Sequence, residues 1–338
     1  MQEGWGRRYA LLSLDTETLT RLLEPIASGH AILSAEAIGG GLVNTNYRVS
    51  LSGWADAVVV RLYTRELSAC HLELDIFQLA HSRVPMPDVL YADPEGERCG
   101  RPYMVTRWIE GQKLDRLLTT GDSEIIAAAA AEVGRTLAAL AAYRFDGPGF
   151  FGPGLSIREP LGALRESVVS SVRSYLFERE AGQRLGNELA GQVWKLLSEN
   201  ATLLDDADGP ATLVHGDYKA QNILLRRHSP ADWQMAAVLD WEFAMAENSL
   251  FDLSILLRYA DSLSPAFEQG VVAGYRDAGG KLPREWKRVI KLLDLLNLCE
   301  FLCGQSPRDA MISDVTRLIQ ATLDGWDSYS RSSSRLPG

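Results

Sequence analysis

The sequence predicts an α+β chain in two lobes: a small N-terminal lobe built from an antiparallel sheet and one helix, and a larger, mainly helical C-terminal lobe. Between residues 31 and 64 short β-patterned runs alternate with glycine- and serine-containing breaks, whereas after Gly111 alanine- and leucine-rich runs at helical spacing take over. The 338 residues, 46% of them hydrophobic, are enough to bury two cores. The change of character near Trp108 divides the chain into residues 1–107 and 108–338.

In chain order, "AILSAEAI", "NTNYRVSL" and "AVVVRLYT" read as three strands of a meander, separated by "GGGL" and "SGWAD". A helix follows in "TRELSACHLELDIFQLAHSR", where Leu72, Ile76, Leu79 and Ala80 recur at helical spacing until "VPMP" stops it. Strands in "DVLYAD" and "RPYMVTRWI" flank the turn-forming "PEGERCG". Beyond Gly111, "SEIIAAAAAEVGRTLAALAAY" and "LAGQVWKLLSENATLL" are helices, and "FDGPGFFGPG" is a loop that its aromatic residues can pack. The tail "SRSSSRLPG" is expected to fray.

Composition narrows the function classes. A formal net charge of -10 repels nucleic acid and anionic lipid and would attract a cationic small molecule. No run is long and apolar enough to cross a bilayer and the first residues show no clear cleavage site, so a cytoplasmic location is expected. Cys70, Cys99, Cys299 and Cys303 are scattered without a metal-knuckle spacing, which reads as buried thiols.

The chemistry concentrates in "LVHGDYKAQNILL", residues 213–225, where two apolar ends enclose His215, Asp217, Lys219 and Asn222. Further on, "MAAVLDWEF" presents Asp240 at the end of another apolar strand. Asp217 and Asn222 have the D-x-x-x-x-N spacing of a phosphoryl-transfer loop, in which the aspartate accepts a hydroxyl proton and the asparagine holds a metal. Mg²⁺ is a hard cation that takes carboxylate and amide oxygens, which Asp240 and Asn222 can supply. The transferred phosphoryl group spreads negative charge that positioned cations stabilise, a role for Lys219 beside the catalytic Asp217. The alternative is a polar turn between strands, but H-G-D-x-x-x-x-N arises by chance in roughly one chain in a thousand of this length, before the Asp-Trp-Glu is required.

These residues resemble the aminoglycoside phosphotransferase and choline kinase superfamily, through "HGDYKAQN", "VLDWE" and "FDLSILLRY", and the resemblance runs from about residue 38 to 259. It implies a protein-kinase-like two-lobed fold, an O-phosphotransferase activity on an alcohol group, ATP or GTP as co-substrate, and Mg²⁺. "GGGLVNTNYRV" resembles the family's phosphate-covering loop, which assigns Gly40, Gly41 and Asn44 to the nucleotide. Where the family usually carries a phosphate-binding lysine, this chain has Arg61, which keeps the cation but is bulkier. Glu73 resembles the helix glutamate that pairs with this cation, and the main chains of Arg107 and Trp108 resemble the hinge that binds adenine. The resemblance gives His215 and Asp252 structural roles in bracing the catalytic loop. Two further departures, Leu140-Ala141 for the usual leucine-histidine and "ENS" at 247–249 for the usual G-D-P, lie outside the metal set.

For the acceptor, Glu242 is a secondary candidate, and "KLLDLLNLCEFLCGQSPRD" places Asp294, Asn297 and Glu300 where a polar group can project from an apolar helix, with Asn297 and Glu300 near one face. A carboxylate there suits a cationic, hydroxyl-bearing acceptor such as an aminoglycoside; the alternative is a solvated surface. The expected partner is therefore a small molecule, with no nucleic acid and no membrane, bound by a monomer or homodimer. Three functions are compatible: an antibiotic kinase, a housekeeping kinase of choline, homoserine or a sugar, and an inactive nucleotide-binding module.

Overall fold

The computed structural model describes residues 11–39, 43–64, 66–229, 232–304 and 307–331. Gly40 and Gly41 of the expected phosphate loop, and nearly all of the tail expected to fray, lie outside them.

The N-terminal region begins with α1 (Thr16–Ala27), a helix beyond the single one expected there. Its signals are plain in retrospect: Asp15 caps it by accepting from the Thr18 N–H, and Leu19, Leu22 and Leu23 form a buried stripe. Then come β1 (Ile32–Ala37), β2 (Thr45–Leu51), β3 (Val58–Leu62), α2 (Ala69–Ala80), β4 (Val89–Asp93) and β5 (Tyr103–Arg107), as the strand patterns predict. The five strands form one antiparallel sheet in the order β1-β2-β3-β5-β4. Side chains alternate across it. Tyr47, Val49, Val58, Val60 and Leu62 face the α1 core, while Asn46, Arg48, Val59 and Arg61 take the other face. In α2, Ile76 and Ala80 are buried but Leu79 is exposed, so the buried stripe is narrower than the spacing suggests.

The remainder is mainly helical. A short β6 (Gln112–Lys113) and α3 (Leu114–Leu118) lead into α4 (Ser123–Leu140), which Asp122 caps through the Glu124 and Ile125 N–H groups. In the aromatic loop β7 (Gly149–Phe151) pairs with β8 (Ile157–Pro160), and Phe145 packs on Phe151 at 4.8 Å between ring centroids. Helices α5 (Leu164–Phe177), α6 (Ala181–Leu185), α7 (Asn187–Asn200) and α8 (Leu203–Ala207) follow. Strands β9 (Thr212–Val214), β10 (Ile223–Ser229), β11 (Asp232–Val238) and β12 (Met245–Glu247) then frame the motif loops. The chain ends in α9 (Leu250–Leu256), α10 (Pro265–Asp277), α11 (Trp286–Phe301) and α12 (Asp309–Arg331).

Two small antiparallel sheets, β11-β10-β6 and β8-β7-β12-β9, carry the loops on the surface of the helical core. Helices α4 and α10 pack unusually closely: a methyl group built on Gly274 would lie 1.8 Å from the Ala131 carbonyl oxygen, and one on Gly134 would lie 2.1 Å from that of Val271. All four cysteines are free; Cys70 and Cys299 are buried as expected, but Cys99 and Cys303 are only partly so. Among the described residues no helix is long and apolar enough to cross a membrane.

Candidate active site

The loop between β9 and β10 begins with His215, which is fully buried. Its Nδ1 accepts from the Asp217 N–H at 3.1 Å and its Nε2 faces the Leu239 carbonyl at 3.0 Å, which fixes the neutral Nε2–H form. Burial pushes its pKa down to about 4. Asp252, at the start of α9, accepts from the N–H groups of His215 (2.7 Å) and Gly216 (2.9 Å). Burial raises its pKa to about 7 in spite of these bonds. Together the two side chains hold the turn from which Asp217 projects.

Gly216 has φ +78°, and a Cβ there would lie 2.2 Å from the Phe243 carbonyl oxygen, so both conformation and space require glycine. The loop that follows β11 therefore packs directly against the Asp217 loop. A second tie is the Leu239 N–H, which donates to the Asn222 carbonyl at 2.8 Å. Asp240 itself adopts φ +70°, a left-handed conformation that aspartate tolerates better than most residues.

Asp217 Oδ2 receives Lys219 Nζ at 2.7 Å and Asn222 Nδ2 at 3.0 Å. Burial raises the Asp217 pKa, with Lys219 and Asn222 acting in the opposite sense. Because Asn222 uses its amide nitrogen on Asp217, its Oδ1 is the atom left to ligate a metal. Across the cleft, Arg61 on β3 pairs with Asp240 and, at 2.9 Å, with Glu73 on α2. Burial would raise the Asp240 pKa, but Arg61 outweighs it and holds the carboxyl below the usual range. Glu73 moves the other way, pushed up mainly by burial. Tyr63 donates its hydroxyl to Glu73 at 2.7 Å. Asn44 Nδ2 donates to Glu242 Oε2 at 2.9 Å, while its Oδ1 accepts from the Thr64 N–H.

Asp217, Lys219, Asn222, Asp240, Arg61, Glu73, Asn44 and Glu242 are thus gathered at one cleft. Four carboxylates face two cations there, a surplus of negative charge that suits a divalent metal. The oxygens of Asn222 and Asp240 are the hard donors that would hold it.

Other expected residues lie differently. The Arg107 N–H donates to the Asp88 carbonyl and the Trp108 N–H to the Ala57 carbonyl, so both amides are engaged within the sheet. Asn297 is buried, whereas Glu300 on the same helix is exposed near Tyr175, so the two do not share an environment. Asp294, the third polar position expected on this helix, is instead taken up in a buried pair with Arg258 at 2.7 Å, and the sequence did not point to Arg48, which stacks on Trp108 at 4.6 Å. Neither pair has a local pattern that reveals it, since each joins residues far apart in the chain.

The model of the phosphotransferase enzyme family matches residues 34–289. No curated protein shows significant similarity to the chain. Among solved structures, the aminoglycoside phosphotransferase APH(4)-Ia superposes with a TM-score of 0.64 at 17% identity, over 94% of this chain and 99% of that one. The GDP and kanamycin complex of APH(2")-IIia gives 0.69 at 19% identity, over 90% and 98%. A candidate fructosamine-3-kinase from Thermobifida fusca YX-ER1 gives 0.60 at 19% identity, over 91% and 99%. These likenesses share the two-lobed fold, and a family match across three-quarters of the sequence, which takes in the Asp217 and Asp240 loops, places this chain in the phosphotransferase enzyme family.

Proposed function

We propose that the protein is a Mg²⁺-dependent kinase that transfers the γ-phosphate of ATP or GTP to a hydroxyl of an antibiotic-like small molecule such as an aminoglycoside, in resistance or self-protection. The observation that carries this reading is the convergence of Asp217, Lys219 and Asn222 with Asp240 and Arg61 at one cleft. In this reading residues 1–107 bind the nucleotide and residues 108–338 supply the base and the acceptor pocket. A thermostable mutant of APH(4)-Ia has been crystallised with AMP-PNP and hygromycin B, which supports a nucleotide and an aminoglycoside as the pair of substrates.

The residues divide the work as follows. The acceptor hydroxyl attacks the γ-phosphorus, the bond to the β–γ bridging oxygen breaks, and the hydroxyl proton passes to Asp217. Burial, which raises the Asp217 pKa, makes its carboxylate a better proton acceptor. Lys219 and Arg61 supply positive charge as negative charge builds on the phosphoryl oxygens. Bound to Asn222 and Asp240, the metal would neutralise the β- and γ-phosphates. A second reading, a metabolite kinase of the same fold, draws support from the likeness to the candidate fructosamine-3-kinase.

The test is Mg²⁺-dependent ADP and GDP release against a panel of aminoglycosides, other antibiotics, choline, homoserine and sugars. Turnover with one antibiotic class is expected, and turnover with a metabolite alone would favour the second reading. Asp217→Ala is expected to reduce turnover by about a thousandfold or more while nucleotide affinity changes little, because the base acts in the transition state. Near wild-type turnover in that variant would remove Asp217 from the mechanism.

A further inference from the structure

The face of the N-terminal sheet that carries Arg61 has a second feature. On β2, Asn46 lies opposite Arg61 and Arg48 lies opposite Val59, so Arg48 is one step further from the phosphate-binding cation. On the other side of β3, Val59 is paired with Thr106, and Trp108 donates its N–H to Ala57. Alternation puts Arg48, Ala57, Val59, Thr106 and Trp108 on the same face as Arg61. To reach Trp108, the Arg48 side chain must lie across β3.

It does so with its guanidinium carbon 4.6 Å from the Trp108 ring centroid. Glu110 steadies the arrangement, accepting from Trp108 Nε1 at 2.7 Å and pairing with Arg48 Nη2 at 3.6 Å. Two buried polar atoms on this stretch, Asn46 Oδ1 and Arg48 Nε, have no hydrogen-bond partner among the described residues. Next to a phosphate-binding cation, a flat cation backed by an aromatic ring and flanked by an unmatched donor and acceptor suits a planar, polar, π-rich group.

We propose that Arg48 is the nucleobase-stacking residue: with one face on Trp108, its guanidinium offers the other to the purine of the nucleotide. The inference rests on the nucleotide-dependent function proposed above and adds how the base is held. Recognition through the face of the ring tolerates either purine, since every base has a π-face. The N–H groups of Arg107 and Trp108 are already engaged within the sheet. ATP and GTP should therefore serve with efficiencies within about tenfold of each other, as expected for stacking-dominated recognition.

The experiment is calorimetric titration of the full chain with MgADP, MgGDP and Mg-tripolyphosphate, which lacks a base, together with KM and kcat for both triphosphates. Arg48→Ala should weaken both nucleotides by about tenfold, the range of a single base-stacking contact, with the loss falling on KM. Tripolyphosphate affinity should be unchanged. Arg48→Phe should recover most of the nucleotide affinity, because it restores a stacking surface but not the pairing with Glu110. Unaltered nucleotide binding in Arg48→Ala, a parallel loss for tripolyphosphate, failure of Arg48→Phe to recover, or a strong preference of the wild type for one purine would overturn the inference alone. A wild-type protein that binds neither nucleotide would overturn it together with the function it rests on.

Discussion

His215 braces the Asp217 loop through a neutral ring, and this has a measurable consequence. Its pKa falls from 6.5 to about 4 on folding, so between these values the unfolded chain binds a proton that the folded protein does not. Stability therefore rises with pH across that window, by on the order of 3 kcal/mol from this group alone. Asp252 opposes it: raised from 3.8 to about 7, it keeps a proton that the unfolded chain loses, so its contribution falls as pH rises through the same region. Replacing His215 with Gln removes one of the two slopes, and the difference in melting temperature between wild type and variant is expected to shrink steadily as pH drops from 6.5 to 4. A difference independent of pH would mean that the ring is not held neutral. At this scale the sequence was most informative where the chemistry is local. Asp217, Lys219 and Asn222 sit within six residues, and their spacing survives folding because the loop hydrogen-bonds to itself. Asn44 and Glu242, 198 residues apart, and Arg61 and Asp240, 179 apart, gave no such pattern.

Between elements, the closest packing is that of α4 on α10. Gly134 on one helix and Gly270 and Gly274 on the other bring the backbones together, with Ala127, Ala130 and Ala131 as the facing surface. Gly274→Ala would force apart backbones that no side-chain rotation can relieve, and a loss of at least about 1–3 kcal/mol in denaturant unfolding is expected. Gly191→Ala, on an exposed part of α7 with open space around it, is expected to stabilise by about 0.5–1 kcal/mol. Similar effects at the two positions would show that close approach does not set the helix spacing. The alanine run announced a helix through its propensity, but its partner was illegible because packing depends on the register of two helices. The strands of the N-terminal sheet were readable since alternation and turn residues fix each one locally. Helix α1 was missed although its cap and stripe are present, and Leu79 was misplaced because periodicity marks a face without fixing how much of it is covered.

Over the whole molecule, the two lobes meet through charge at the cleft. Arg61 bridges Glu73 on its own side to Asp240 on the other, and Asn44 reaches Glu242 in the same loop. Arg61→Met would leave these carboxylates without their cation and is expected to lower stability by about 2–3 kcal/mol, less than for a fully buried pair because Asp240 is partly exposed. Mg²⁺ should then raise the melting temperature of this variant more than that of wild type, as the metal takes over the missing positive charge; equal shifts would show that Asp240 does not hold the metal. The overall charge of -10 was legible and says which large partners are repelled, but the juxtaposition of the lobes was not, since it exists only once both have folded. Gly216 and the Phe243 carbonyl touch where even one methyl group has no room. Asp217 and Asp240, the proposed proton acceptor and metal ligand, are thereby mounted on a common block, so opening of the cleft to exchange nucleotides would carry Arg61 away from Asp240 while the spacing of Asp217 to Asp240 stays constant, sparing the enzyme a realignment at every cycle.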